Sequence, residues 1–459
     1  MNSISLFAPR ALLRDGWASD ARVTIAADGR IRGVERDVKP GSDDRCLTDR
    51  VLLPAPVNVH SHAFQRALAG RTQRRGPGED NFWSWRRFLY RFLEGLTPEM
   101  ICAITAQAQI EMCEAGYAAV AEFHYLHHAP GGRAYANPAE ISERIMEAAQ
   151  ATGIGLSLLP VIYSTGGADG GGPAGVQLRF ACDAEKYDLL WRSAASSLGR
   201  GPADWRIGIA PHSLRAVPRD ILAEVLAAHP KGPVHMHIAE QIAEVEEIES
   251  AWSAPPITWL LDHHAVDERW CLVHATHANE AECANLAKSG AVVGLCPITE
   301  ADLGDGVFPG EPFLTAGGRF GVGTDSNVRI TLSGELNLLE YSQRLAMRRR
   351  NVISKAGESS GKAIFDAVLV GGALALGRRS GAIESGYLAD LLTLDATTLE
   401  LHGLDGDELL DGWIFSAQES LVREVWSAGR QTVEHGRHFA REIISSRYRD
   451  AMDALIATL

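Results

Sequence analysis

VLLPAPVNVH at residues 51–60 is an apolar run that ends on a histidine, and seven later runs repeat its design. They are 118–125, 153–163, 206–213, 232–240, 269–275, 291–297 and 319–326. Each is β-rich and closes on polar residues, and the segments between most of them carry helical patterning. The segment 97–116 opens on Thr97 and Pro98 and stops at Gly116, and 138–151, 183–197, 218–229 and 278–288 follow similar start and stop rules. Eight strands alternating with helices predict an α/β protein with a parallel (β/α)₈ barrel over 51–375.

The flanks depart from this rhythm. ARVTIAADGRIRGVE (21–35) alternates around an Asp-Gly turn, and LADLLTLD (388–395) and VREVWSAGRQTVEHG (422–436) alternate likewise. We expect a small β-domain of sandwich type assembled from residues 1–50 and 376–438, closed by a C-terminal helix in 439–459. The glycine-rich stretch 165–175 follows the third run and reads as a loop on the face where barrel active sites sit, either a lid or a plain surface loop.

The chain has 459 residues, of which 46% are hydrophobic and 22% charged, so it can bury a large core and is not disordered. Its net charge of −14 and the lack of any basic stripe argue against nucleic-acid binding. Seven scattered cysteines, none in a CxxC spacing, point to neither a disulfide framework nor a thiolate metal site. No secretion signal and no apolar stretch of about 18 residues is evident. A cytoplasmic protein without membrane association is expected, and a homodimer is the default assembly.

The chemical signal lies at the strand ends. NVHSH places His60 and His62 two apart on one side of an extended chain, the fifth run carries VHMHIAE, the sixth LVHATH and the eighth GTDSN. His60, His62, His237 and Asp325 form an N/O set suited to Zn²⁺ with water completing the coordination, and Fe²⁺ or Mn²⁺ would also accept such a set. An isolated HxH is weak evidence, whereas four candidates at matching strand ends reinforce one another.

The ordered set HSHAFQRALAG, FWSWR, AEFHYLHH, HSLRAV, HIAEQ, LVHATHA and GTDSN, with GYLADLLTLD at 386–395, resembles the amidohydrolase superfamily. Within it the chain is similar to the formimidoylglutamate deiminase family, over nearly its whole length. The segment PAPVNVH departs from relatives that often have a glycine after the first proline and an aspartate near the HxH. The resemblance implies hydrolytic deimination of N-formimino-L-glutamate in histidine degradation. It selects His237 over His235, because His237 stands three residues before Glu240, and it leaves His235 as a packed barrel histidine. It also implies one metal per chain, since none of the six lysines falls in the fourth run, where two-metal relatives carry a bridging lysine.

On the same resemblance, Glu240, His274 and Asp325 are catalytic, and Gln65, Arg86, Tyr125, His212 and Arg215 bind a small dicarboxylate. Paired arginines suit two carboxylates, because a guanidinium fork makes charge-assisted bonds to each. Arg66 faces either this clamp or solvent. Trp83 and Trp85 either wall the pocket or pack, and packing is the expectation, since aromatics favour burial. His124, His127 and His128 are read as loop histidines rather than a second metal cluster. The rivals are another deaminase of the superfamily acting on a guanine-, cytosine- or adenosine-like ring, and an inactive barrel serving as an assembly module.

Overall fold

The computed structural model describes residues 3–78, 80–418 and 420–458. The outermost residues of the predicted terminal segments, Met1, Asn2 and Leu459, lie outside that set. The barrel strands run Asn58–Ser61, Ala119–His124, Gly155–Ile162, Arg206–Ile207 with Ala210–Pro211, Val234–Ile238, Trp270–His274, Val292–Leu295 and Arg319–Val322. The first four and the last four form two parallel sheets. Parallel bridges between Ile209 and Val234, and between Ser61 and Asp325, join those sheets at both seams and close the ring.

Local chemistry explains the element ends. In the helix Pro98–Ala115, the Thr97 side chain accepts from the Met100 N–H, Pro98 occupies the first turn, and Gly116 terminates the helix at a φ of 108°. Helix Glu280–Ser289 starts from a reciprocal Asn279–Glu282 capping box. The strand residues Ala119–His124 and Gly155–Ile162 are buried throughout, as parallel strands covered on both faces must be. At Gly323, a Cβ would stand 2.7 Å from both the backbone N and O of His60. Glycine there lets the eighth strand end close against the first.

The run 51–60 is two strands, not one. Arg50–Pro54 belongs to the terminal sheet and Asn58–Ser61 to the barrel, with Pro54 and Pro56 removing two backbone donors around the crossing. The terminal layer is hydrogen-bonded as one nine-stranded sheet in which Arg50–Pro54 pairs antiparallel with Leu391–Asp395, knitting the two chain ends together. It packs its own core, including Leu6, Val23, Ile31, Leu52, Leu391 and Trp426. The hairpin at Asp28-Gly29 is present between Gly16–Ile25 and Ile31–Glu35. The closing helix Arg441–Ile456 lays Ile444 against Ala106, Ile110 and Ala148.

Barrel and terminal sheet are fastened by a buried ionic network. Arg378 donates to Asp390 at 2.6 and 2.9 Å and to Asp204 at 2.9 Å, while Arg430 donates to Asp204 at 2.7 and 2.8 Å.

Candidate metal centre and substrate cavity

His60, His62, His237 and Asp325 converge at the C-terminal mouth of the barrel, all buried, with one potential ligand atom from each lying within 4.8 Å of the others. His60 Nε2 lies 3.1 Å from His62 Nε2 and 3.0 Å from His237 Nε2, and Asp325 Oδ1 is 3.2 Å from both His60 and His62. Ligand bonds of about 2.0–2.1 Å in a tetrahedron give edges of about 3.3 Å, close to this spacing. The other ring nitrogens set the tautomers. His62 Nδ1–H donates to the Phe123 carbonyl at 2.8 Å and His237 Nδ1–H to the His212 carbonyl at 3.0 Å, so both Nε2 lone pairs face the centre.

Charge states fit a cation as well. Burial pushes His60 down to about 3, despite the Asp325 carboxylate, and holds His237 well below the usual imidazole range. Burial alone would raise Asp325, but the facing His60 and His62 rings hold it well below the usual carboxylate range. Neutral imidazoles and an ionised carboxylate are the ligand forms a divalent ion requires. This donor set is suited to one divalent metal.

The centre is supported from beneath. Asn58 Nδ2 donates to Thr324 Oγ1 at 2.7 Å, Thr324 Oγ1 donates to Asn327 Oδ1 at 2.6 Å, and Asn327 Nδ2 donates to the Asp325 carbonyl at 2.9 Å. Asn58 Oδ1 also accepts from the His60 and Thr324 N–H groups, which is how the divergent PAPVNVH segment forms its turn. Ala239, His274 and Asp325 have φ of 50°, 70° and 42°, so non-glycine residues in left-handed conformation gather at three strand ends around one point. Such strain persists only where surrounding structure enforces it, and it concentrates at functional sites.

Glu240 stands just outside the metal cluster, with Oε1 3.8 Å from His274 Nε2. Burial pushes its carboxyl up to about 7 against the opposing charge of His274. His274 is driven the other way: burial would lower it, but Glu240 and a hydrogen bond to Glu300 raise it to about 10. Glu300 Oε1 accepts from His274 Nδ1 at 3.1 Å and from the Cys296 N–H at 2.8 Å, fixing the ring with Nε2 toward the cavity. Glu300 is not among the residues expected from the sequence. Its only signal is a position in the first turn of the helix that follows the seventh strand.

The five predicted substrate residues line one cavity together with His62, His237, Glu240, His274 and Asp325. Gln65 donates to the Tyr125 hydroxyl at 2.9 Å, and its own Oε1 is buried without a partner. Arg86 donates to the hydroxyls of Tyr90 at 2.8 Å and Tyr163 at 3.3 Å. Arg215 is 8% exposed. Among the described residues, no carboxylate lies within 4.0 Å of the Arg86 or Arg215 guanidinium. Of the two tryptophans, Trp85 both packs on the core and lines the cavity, and the Trp83 ring lies 5.6 Å from Arg86 and 5.9 Å from Arg215. An aromatic face beside two cations keeps them in place without neutralising them.

Other histidines and loops resolve simply. Arg66 turns away to Glu111 at 2.7 Å. His235 bonds the Ala375 carbonyl at 2.7 Å, as a packed residue should. His124 meets Ser142, and His127 and His128 donate to the carbonyls of Val161 and Ala181, so the three do not converge. The 165–175 loop rests on helix Ile242–Trp252 through the Ala168 N–H and Glu247, 2.7 Å apart.

Residues 51–432 match the amidohydrolase family, and residues 4–47 match the N-terminal domain of formimidoylglutamate deiminase HutF. The chain belongs to the amidohydrolase family. This amidohydrolase is 48% identical over 442 residues to a formimidoylglutamate deiminase from Pseudomonas aeruginosa, with 95% of this chain and 96% of the relative covered. A crystal structure of an amidohydrolase from Brucella melitensis superposes with a TM-score of 0.95 at 44% identity, covering 99% of this chain and 100% of that one. An adenosine deaminase from Xanthomonas campestris, solved with bound zinc, shares the fold at a TM-score of 0.82 and 21% identity, covering 99% and 98% of the two chains. Homology and site geometry together fit hydrolysis of a C–N bond. No helix among the described residues is long and apolar enough to cross a membrane.

Proposed function

We propose that this amidohydrolase is a zinc enzyme that converts N-formimino-L-glutamate to N-formyl-L-glutamate and ammonia. The observation that carries this reading is the pair Arg86 and Arg215, two cavity cations without carboxylate partners among the described residues. Arg215 is buried and feels Glu244 and Glu247 only at a distance, so a ligand bearing two carboxylates supplies direct, charge-assisted partners to both arginines. The 48% identical relative bears the matching name.

His60, His62, His237 and Asp325 would hold the ion, which supplies an acidified water near neutral pH. Hydrolysis forms a C–O bond at the amidine carbon and breaks the C–N bond to the departing nitrogen. Glu240, with its carboxyl near 7, is poised both to take a proton and to give one to that nitrogen. His274, charged and held by Glu300, presents its Nε2–H to the attacking oxygen, and Asp325 orients that same nucleophile. Gln65 Oε1 is free to accept an N–H from the substrate.

Two substitutions test these assignments. Arg215→Met should lower kcat/KM on the dicarboxylate by about 10²-fold, the scale of a lost charge-assisted bidentate contact, with zinc content unchanged. If metal loss accounts for the whole defect, the clamp assignment fails. Glu300→Gln should lower kcat by about tenfold or more while KM and zinc content hold, because it weakens the orienting partner of a proton-handling group. A change confined to KM would contradict that positioning role.

A further inference from the structure

A second cavity, of about 630 Å³, opens at the opposite, N-terminal end of the barrel. Its lining comes from the starts of the fourth, fifth, sixth and eighth strands, the segment 369–382, and Arg14 and Tyr387 of the terminal layer. The floor is apolar, with Ile207, Pro233, Leu369, Ala373 and Leu374. Around it stand six arginines, at 14, 206, 269, 319, 378 and 379, against one carboxylate, Glu268. In a chain of net charge −14 this is a local inversion of sign.

Three of the arginines have carboxylate partners. Arg14 pairs with Glu384, Arg269 with Asp267, and Arg378 with Asp204 and Asp390. Arg206, Arg319 and Arg379 have none within 4.0 Å among the described residues. Arg206 is half-buried and gives its Nη1 hydrogens to the carbonyls of Ala203 and Trp205. Burial and the nearby charges of Arg378 and Arg30 outweigh Asp204 and lower its pKa, so an anion beside it would relieve a standing cost. Arg379 lies 5.1 Å from the Tyr387 ring. An independent observation points the same way: Ser380 lines this cavity, is 4% exposed, and its Oγ has no hydrogen-bond partner. A buried hydroxyl left unpaired is uncommon and marks a place where a ligand acceptor fits.

We propose that this cavity is a second ligand site, taking a small organic oxyanion with an apolar body. Its charged group meets Arg206, Arg319, Arg379 and the Ser380 hydroxyl, and its body lies on the Ile207–Leu369–Leu374 floor. The cavity volume falls in the range of small-molecule sites, about 300–1,000 Å³. The site stands independently of the dicarboxylate assignment at the other end of the barrel.

The test titrates the full-length, zinc-loaded protein with anilinonaphthalene sulfonate, an aromatic oxyanion, followed by fluorescence and calorimetry. One site per chain is expected, retained in Arg215→Met and weakened about tenfold or more in the double variant Arg319→Gln/Arg379→Gln, as loss of two charge-assisted contacts requires. Both arginines are exposed, so that variant should keep its fold and its turnover. Ser380→Ala, measured alongside, should weaken the probe without altering thermal stability. Probe binding lost in Arg215→Met but unchanged in the double variant would overturn the proposal. So would binding insensitive to all three variants, or a sedimentation shift in the double variant without any change in probe affinity, which would make this face a contact between copies of the chain.

Discussion

Glu240→Gln is expected to lower kcat by about 10³-fold, within the range for removing a positioned proton carrier, while zinc content stays at one per chain. Glutamine keeps the shape of the side chain and the backbone bond from the Glu240 N–H to Glu244 at 3.0 Å, so the strand end should remain in place. What it removes is a carboxyl that burial has brought up to about 7, where it both accepts and releases protons at neutral pH. Glu240 is not among the four converging ligands, so metal should be retained. Steady-state kinetics alongside metal stoichiometry check this. Loss of zinc in proportion to activity would reassign Glu240 to the metal centre.

Arg378→Met is the stability prediction with the largest effect, a loss of about 3–5 kcal/mol, the usual cost of leaving buried charge without its partner. Asp390 is 1% exposed and would lose both guanidinium bonds, while Asp204 would keep only Arg430. Chemical denaturation of the zinc-loaded protein should show the lower midpoint, and a shift under about 1 kcal/mol, the scale of a surface pair, would contradict it. The same network predicts acid sensitivity. Burial would raise Asp204, but the Arg430 hydrogen bond and the Arg378 charge outweigh it and hold the carboxyl at about 2. Its folded pKa lies below the unfolded value of about 3.9, so its contribution of about 2 kcal/mol is complete above that value and is lost as pH falls through about 2.

Strand ends were the readable part of this molecule. Eight apolar runs closing on polar residues announce a barrel because the C-terminal mouth needs its chemistry there, and His60, His62, His237 and Asp325 do converge at that mouth. What escaped the sequence depends on contacts between distant segments. Glu300 follows the seventh strand, where one carboxylate in a helical first turn resembles any other, and only the fold brings it within 3.1 Å of His274. The run 51–60 looks continuous because both of its strands are buried, and only pairing separates the piece that joins the terminal sheet from the piece that joins the barrel. Trp83 and Trp85 read as either pocket wall or packing from sequence. The helix Phe82–Gly95 sets the Trp83 ring beside Arg86 and Arg215 and Trp85 in the cavity lining.

Ammonia release by the purified, zinc-loaded protein, measured in parallel on N-formimino-L-glutamate, guanine, cytosine and adenosine, tests the proposed activity most directly. Turnover is expected on N-formimino-L-glutamate with N-formyl-L-glutamate as the carbon product, and none on the ring substrates. Activity confined to a nucleobase or nucleoside, or formamide and glutamate as the products, would contradict it.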